Sequence, residues 1–464
     1  MDLHFKSAAE IARLIRERKI SAIETLEHFL ARVEKYNPRL NAIIWLDAAR
    51  ARERARAADA ALAKGEIWGP LHGVPMTIKE SYNVAGSPTT WGDPDLKNNV
   101  TETSALAVER LEKAGVVLFG KTNVPLLLAD HQSFNAIYGT TNNPWDLART
   151  PGGSSGGSAA ALAAGLTGIE AGSDIGGSIR IPAHFCGVFG LKPTWGVAAP
   201  KGQALPGSYA YADMSVIGPL ARGADDLEIA LNAMAGPDEI DGIAWKVDLP
   251  GCGAASLKDF RIAVKLCDPN CEVETGYADA LQALADALAR CGAMVKEAQP
   301  KLDTARLHEM YILLLRAATS ARTPDEDVER WRKAAEAVRP GEEPYLELMV
   351  RGTSLPHRDW LRAQQRAPWL ATCLRGILRG LRHSAVPGRR FRRVPARPHG
   401  RALAAQDRGE PQKCPVDEPS VLGRLFECCL SPFYGRPDGD YAVRAAGRLP
   451  GHSSERSRQD RNHP

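Results

Sequence analysis

The first stretch of the chain alternates apolar and polar positions with a helical period. Ser7-Ala-Ala-Glu10 and Ser21-Ala-Ile-Glu24 each put a serine at a helix start and a glutamate three residues on, the arrangement of a capping box. Behind the second, Ile23, Leu26, Leu30 and Val33 share one face, which predicts a helix that stops at Asn37-Pro38. An alanine-rich helix is predicted over 47–63, ending near Gly65. From residue 70 the pattern changes. Val74-Pro-Met-Thr-Ile78 and Val116-Val-Leu-Phe119 are short unbroken apolar runs, which read as buried strands, with 104–114 as the helix before the second. Helical patterns follow at 158–166, 225–235 and 274–291, with a strand at 261–265. Residues 303–350 are helical and variable in character, suited to shaping a substrate cleft. The alternation predicts an α/β fold, a sheet covered on both faces. No repeat and no linker marks a boundary before 370, so 1–370 is expected to be a single large domain.

Composition refines this picture more than it changes it. The chain has 464 residues, 44% hydrophobic and 25% charged, enough apolar material for an ordinary core. The net charge of +4 is unevenly placed. Residues 371–464 hold 18 basic side chains, 17 of them arginine, against nine acidic ones, leaving 1–370 at −5. An acidic body argues against a nucleic-acid surface, so no nucleic-acid partner is expected. The nine cysteines lack paired spacing. Cys267 and Cys271 are four apart, but no histidine or further cysteine completes a metal set nearby. Free thiols, no secretory pattern at Met1-Asp-Leu-His-Phe-Lys6 and no apolar run near the roughly 20 residues that span a bilayer together predict a cytoplasmic protein without a membrane partner.

The candidate chemistry sits in two serine-glycine runs, Pro151-Gly-Gly-Ser-Ser-Gly-Gly-Ser158 and Gly172-Ser-Asp-Ile-Gly-Gly-Ser-Ile-Arg180, and in Lys79 at the end of an apolar strand. Serines in glycine-rich turns can act as nucleophiles, and successive small-residue amides can converge on an oxyanion. A lysine buried in a strand loses affinity for its proton and can serve as a base. Two other patterns fail on their context. Gly115-Val-Val-Leu-Phe-Gly-Lys-Thr122 spells a phosphate-binding loop, but its middle is itself a strand. Gly152-Gly-Ser-Ser-Gly156 spells a nucleophile elbow, but the segment before it ends in proline and reads as loop, where an elbow needs a strand. His131 and His184 have no partner at metal spacing and read as structural. Asp174 and Arg180 read as holding the second loop.

Along Gly152–Ala161, Gly176-Gly-Ser-Ile-Arg-Ile-Pro182 and Gly187-Val-Phe-Gly-Leu-Lys-Pro-Thr194, with the apolar-lysine motif ahead of them, the chain resembles the amidase signature family. The resemblance covers residues 70–225. It implies a mixed, twisted β-sheet between helical layers and a Ser-cis-Ser-Lys triad of Lys79, Ser154 and Ser178. Ser154 is the bridging serine because it lies 24 residues before Ser178, the family's spacing; Ser155 falls one position off. The implied oxyanion hole is the amides of Ile175, Gly176, Gly177 and Ser178. The implied activity is hydrolysis of a small-molecule carboxamide through an acyl-serine, with no metal or organic cofactor, and a homodimer is compatible with it. Two alternatives stay open: the glutamine-hydrolysing subunit of a tRNA-dependent amidotransferase, and a non-catalytic product of a damaged gene.

Beyond 370 the resemblance ends. The segment is rich in Arg, Pro and Gly and reads as irregular, either a basic tail or a slipped reading frame. Permitted codons for Gly376–Pro387, read one nucleotide later, give Gly-Phe-Phe-Glu-Asp-Tyr-Asp-Ile-Leu-Leu-Cys-Pro, which resembles a late segment of the family.

Overall fold

A computed structural model describes residues 2–365, apart from 250, 252–253, 267, 269, 271–272, 299–302, 338–340 and 342–343. Cys267, Cys271 and the whole segment 371–464 therefore lie outside the described residues. The chain divides into two compact units, one formed by residues up to Leu249 and one beginning at Pro250.

The first unit opens with α1 (Ala8–Arg16), α2 (Ala22–Leu40), β1 (Ile43–Leu46), α3 (Ala48–Ala63) and β2 (Pro75–Lys79). It continues with α4 (Leu106–Lys113), β3 (Val117–Thr122), the short β4 (Phe134–Asn135) and β5 (Gly139–Thr140), and α5 (Gly156–Ala163). It closes with β6 (Glu170–Asp174), α6 (Arg180–Cys186), β7 (Phe189–Gly190), β8 (Val216–Ala221) and α7 (Ala224–Met234). Strand β3 pairs with β1 antiparallel and with β2 parallel, while β8 pairs antiparallel with both β6 and β7. A parallel bridge between Met76 and Ile169 and the bond from the Gly168 amide to Pro75 O (3.0 Å) join β2 to the start of β6. The result is one mixed sheet in the order β1-β3-β2-β6-β8-β7. Helices α2 and α3 pack on β2 and β3, α5 lies across β1, β2, β3 and β8, and α7 covers β8. The expected α/β class, a mixed sheet between helices, is what these residues form.

Several local expectations needed revision. Ser21 and Glu24 make the full reciprocal cap. Ser7 caps the Glu10 amide, but the Glu10 carboxylate turns to Lys6 (2.5 Å), so that box is half made. Helix α2 runs through Pro38 to Leu40. The proline falls in the last turn, where it forfeits one bond, and Asn37 compensates by accepting from the amides of Ala42 and Ile43 (3.0 and 2.9 Å). Helix α5 starts at Gly156, two residues early, and its Gly157 lies against the Asn123 backbone, where a Cβ would stand 2.3 Å from the nitrogen.

The second unit contains β9 (Arg261–Val264), α8 (Thr275–Arg290), β10 (Met294–Glu297), α9 (Thr304–Thr319), α10 (Asp325–Glu336) and α11 (Pro344–Thr353). Strands β9 and β10 are parallel, with α8 between them in sequence. The helical stretch expected at 303–350 is three helices, with α9 packed on α11 and α10 on α11.

Candidate active site

Strands β2 and β6 run parallel at their junction, so both end on the same edge of the sheet, where open α/β folds gather their ligands. Lys79 is the last residue of β2, and Ser173 and Asp174 are the last of β6. The turn of Ser154 lies beside them.

Every residue of β2 is buried, Lys79 completely. Its ammonium would have to leave water, and burial lowers its pKa from 10.5 to about 7 against the opposing attraction of Asp174. Near neutrality a large fraction of the amine is therefore uncharged. Nζ lies 2.7 Å from Ser154 Oγ and 3.0 Å from Ser173 Oγ. The Gly153–Ser154 peptide bond is cis. Ser178 joins this group through its backbone, with its carbonyl accepting from the Ser155 amide at 3.0 Å. No hydrogen bond joins the Ser154 and Ser178 hydroxyls among the described residues. Ser155 points elsewhere, its hydroxyl 3.4 Å from Ser173 O.

The loop from 174 to 180 folds around a buried carboxylate. Asp174 accepts from the amides of Gly177 (2.9 Å) and Ile179 (3.0 Å) and from Arg180 Nε (3.1 Å) and a terminal nitrogen (2.9 Å). Burial alone would raise its pKa, but the guanidinium and the two amides hold it below the ordinary carboxylate range. The expected oxyanion set changes as a result. The Gly177 amide is committed to Asp174, whereas the amides of Ile175, Gly176 and Ser178 have no hydrogen-bond partner among the described residues. The first amides of α5 also have partners, since Gly156 donates to Ser133 Oγ (3.1 Å) and Gly157 to Asn123 O (3.2 Å). His131 supports the serine turn by donating from Nδ1 to Gly153 O (3.2 Å), and burial lowers its pKa.

Two residues at this site were not among the candidates singled out from the sequence. Ser173 touches Lys79, and Gln203 Nε2 donates to Ser173 Oγ (3.2 Å) and Ser81 Oγ (3.1 Å). Ser173 could have been found from its place beside Asp174 in a serine-glycine run. Gln203 belongs to a loop with no pattern at all. Lys121, the lysine of the apparent phosphate loop, is buried in β3 and donates to Pro88 O (2.6 Å) and Thr89 Oγ1 (2.8 Å). No strand precedes Ser154 between residues 141 and 153, as the rejection of an elbow expects. Among the described residues no cluster of His, Cys, Asp or Glu could hold a metal, and no helix is long and apolar enough to cross a membrane.

Comparison with known proteins points the same way. The family model described as Amidase matches residues 24–373. The chain is 41% identical over 251 residues to one of the subunits of the glutamyl-tRNA(Gln) amidotransferase of Carboxydothermus hydrogenoformans, covering 54% of this chain and 51% of that one. It is 37% identical over 308 residues to the corresponding protein, of the same name, from Coxiella burnetii, covering 65% and 62%. The match thus spans little more than half the length of these relatives. Among solved structures, a bacterial aryl acylamidase belonging to the amidase signature enzymes superposes with a TM-score of 0.67 at 25% identity, covering 81% of this chain and 78% of that one. The expectation of no nucleic-acid partner is corrected by the two amidotransferase relatives, whose name is that of an enzyme acting on a glutamyl-tRNA. The acidic body was no ground for that exclusion, because the charge of one chain does not bound what an assembly of several chains binds.

Proposed function

Because the chain belongs to the amidase family, we propose that it hydrolyses a carboxamide C–N bond through an acyl-serine intermediate. Ser178 Oγ attacks the carbonyl carbon. Its proton passes to Ser154 Oγ, whose own proton passes to the neutral Nζ of Lys79. The amides of Ile175, Gly176 and Ser178 receive the negative oxygen of the tetrahedral intermediate. As the intermediate collapses, the C–N bond breaks and the proton held by Lys79 returns through Ser154 to the leaving nitrogen. Water then attacks the ester by the same route, releasing the carboxylate and restoring Ser178.

The observation that carries this reading is the buried Lys79 amine 2.7 Å from Ser154 Oγ. It is tested with Ser178→Ala, which removes one hydroxyl and no core volume. Hydrolysis of simple amides should vanish while the circular dichroism spectrum stays that of the parent, and a fluorophosphonate should label the parent at Ser178 alone. Residual hydrolysis within roughly tenfold of the parent would take Ser178 out of the nucleophile's role.

The names of the relatives support a second reading, in which the amide is glutamine and the ammonia serves a partner enzyme acting on glutamyl-tRNA. Strict preference for glutamine and copurification with other proteins of such an assembly favour it, whereas turnover of simple amides by the isolated chain opposes it. If the segment beyond 370 comes from a slipped frame, the chain can be a non-catalytic product, and failure of the fluorophosphonate to label Ser178 would identify it as one.

A further inference from the structure

We propose that Gln203 is a positioning residue: by donating to Ser173 Oγ it turns the positive end of an N–H dipole toward Lys79 and keeps that amine ready to take a proton from Ser154. The inference rests on the reading of Lys79 as the base. Gln203, Ser173, Ser81 and Lys79 are all buried, so water does not supply what these side chains lack. The amide nitrogen of Gln203 has two protons, and it spends them on Ser81 Oγ at 3.1 Å and Ser173 Oγ at 3.2 Å.

An ammonium has three protons to place and no lone pair, while a neutral amine has two protons and one lone pair. Around Lys79 Nζ the partners are two hydroxyl oxygens, Ser154 Oγ and Ser173 Oγ. One lone pair of Ser173 Oγ already receives the Gln203 proton, which leaves one for Lys79. The arrangement therefore fits an amine that donates to Ser173 and accepts from Ser154. An ammonium, with three protons and two acceptor oxygens, would leave a charged donor unpaired in a dry site, whereas the neutral amine leaves only an uncharged one, which costs less.

The neighbouring charges do not replace this control. On β6, Asp174 is paired with Arg180 of α6, with Lys192 close to that pair, and Glu170 keeps its proton, burial raising its pKa to about 8. Glu80, next in the chain, accepts from the Thr90 (2.5 Å) and Trp91 (2.9 Å) amides. Lys121 on β3 is held by Pro88 and Thr89. The uncharged amide of Gln203 thus acts on Lys79 through hydrogen-bond polarity, with no charge of its own.

The test compares Gln203→Met, which keeps the length and removes both donors, with Gln203→Glu, which replaces donors by acceptors. Lysines in the full-length chain are labelled with ¹³C at Cε, the Lys79 signal is assigned by its loss in Lys79→Met, and its titration midpoint is measured by NMR. Removing the Gln203 N–H dipole beside Ser173 should raise the midpoint by about one pKa unit in Gln203→Met, and the carboxylate in Gln203→Glu should raise it further. The acid limb of kcat/KM should move with it while KM stays put. A parental midpoint near 10.5 would overturn the assignment of Lys79 as base. A parental midpoint near 7 with an unchanged or lowered midpoint in folded Gln203→Met would overturn the role of Gln203 alone. Gln203→Met introduces no charge, so it decides the question even if Gln203→Glu does not fold.

Discussion

Replacing Lys79 with methionine is expected to abolish activity and, at neutral pH, to make the protein more stable. The unfolded chain carries this lysine with its ordinary pKa of 10.5, and the folded protein with one of about 7. At pH 7 nearly every unfolded molecule therefore holds the proton, against about half of the folded ones. Linkage converts the difference to a destabilisation of about 4 kcal/mol at that pH. The sign follows from the depressed pKa of a base: the penalty is complete below pH 7 and fades as pH rises from 7 to 10.5. Methionine fills similar volume and carries no proton, so it removes the penalty. It also removes the bonds to Ser154 and Ser173, and leaving those buried hydroxyls with one partner fewer costs about 2 kcal/mol. The net gain at pH 7 is about 2 kcal/mol, or roughly 5 °C in midpoint for a unit of this size. Thermal unfolding of parent and variant, followed by circular dichroism at pH 7 and pH 10, measures it. The gain should shrink and reverse by pH 10. A variant less stable than the parent at pH 7, or a difference that does not change with pH, would refute the argument that burial of a charge-prone amine dominates at this position.

Three further outcomes follow from the same geometry. The rate at limiting substrate should fall as pH drops through about 7, since protonation of Lys79 removes the lone pair, and a flat profile from about pH 5 to 9 would mark it as structural. Ser154→Ala should reduce turnover by about 10²-fold or more and Ser155→Ala by much less, because of these two serines Ser154 alone bonds to Lys79; equal losses in steady-state assays would break the relay. Asp174→Asn should destabilise the fold by about 3 kcal/mol in urea unfolding, because Arg180 keeps its charge beside a neutral partner in a largely buried site; a change below about 0.5 kcal/mol would show that the pair does not hold the loop.

Much of this was legible along the chain, for identifiable reasons. Helix α2 announces itself by a capping box and a periodic apolar face, α3 by its run of alanines, and β2 and β3 by short runs of Val, Ile, Met and Phe. Strand β6 gave no such sign. Glu170-Ala-Gly-Ser-Asp174 is polar at three of five positions, yet it is buried throughout. It is a strand because β8 pairs along its length and because Glu170 bonds to Thr77 on β2, long-range partners that no local window contains. Lys79 and the two serine loops were readable as chemistry because glycine and serine cluster there. Gln203 was not, since its role depends on a fold that brings it to residues 81 and 173. The exclusion of nucleic acid failed for a different reason: composition describes a surface, and it says nothing about the company a protein keeps.

The parallel joining of β2 and β6 also sets an order of events as the chain is made. Strands β2 and β3 and the lysine emerge first and can pair with each other. The serine loops follow, and Ser178 is added 99 residues after Lys79, a wait of about 5–20 s at ordinary rates of synthesis. Only when β6 docks on β2 does the amine meet Ser154 and Ser173, and only with residue 203 in place is their hydrogen bonding complete. A nascent chain thus holds a solvated, protonated lysine and ordinary, unactivated serines. If the proposed relay operates, reactivity arrives late, with the closing of the sheet, and an unfinished chain carries no activated serine.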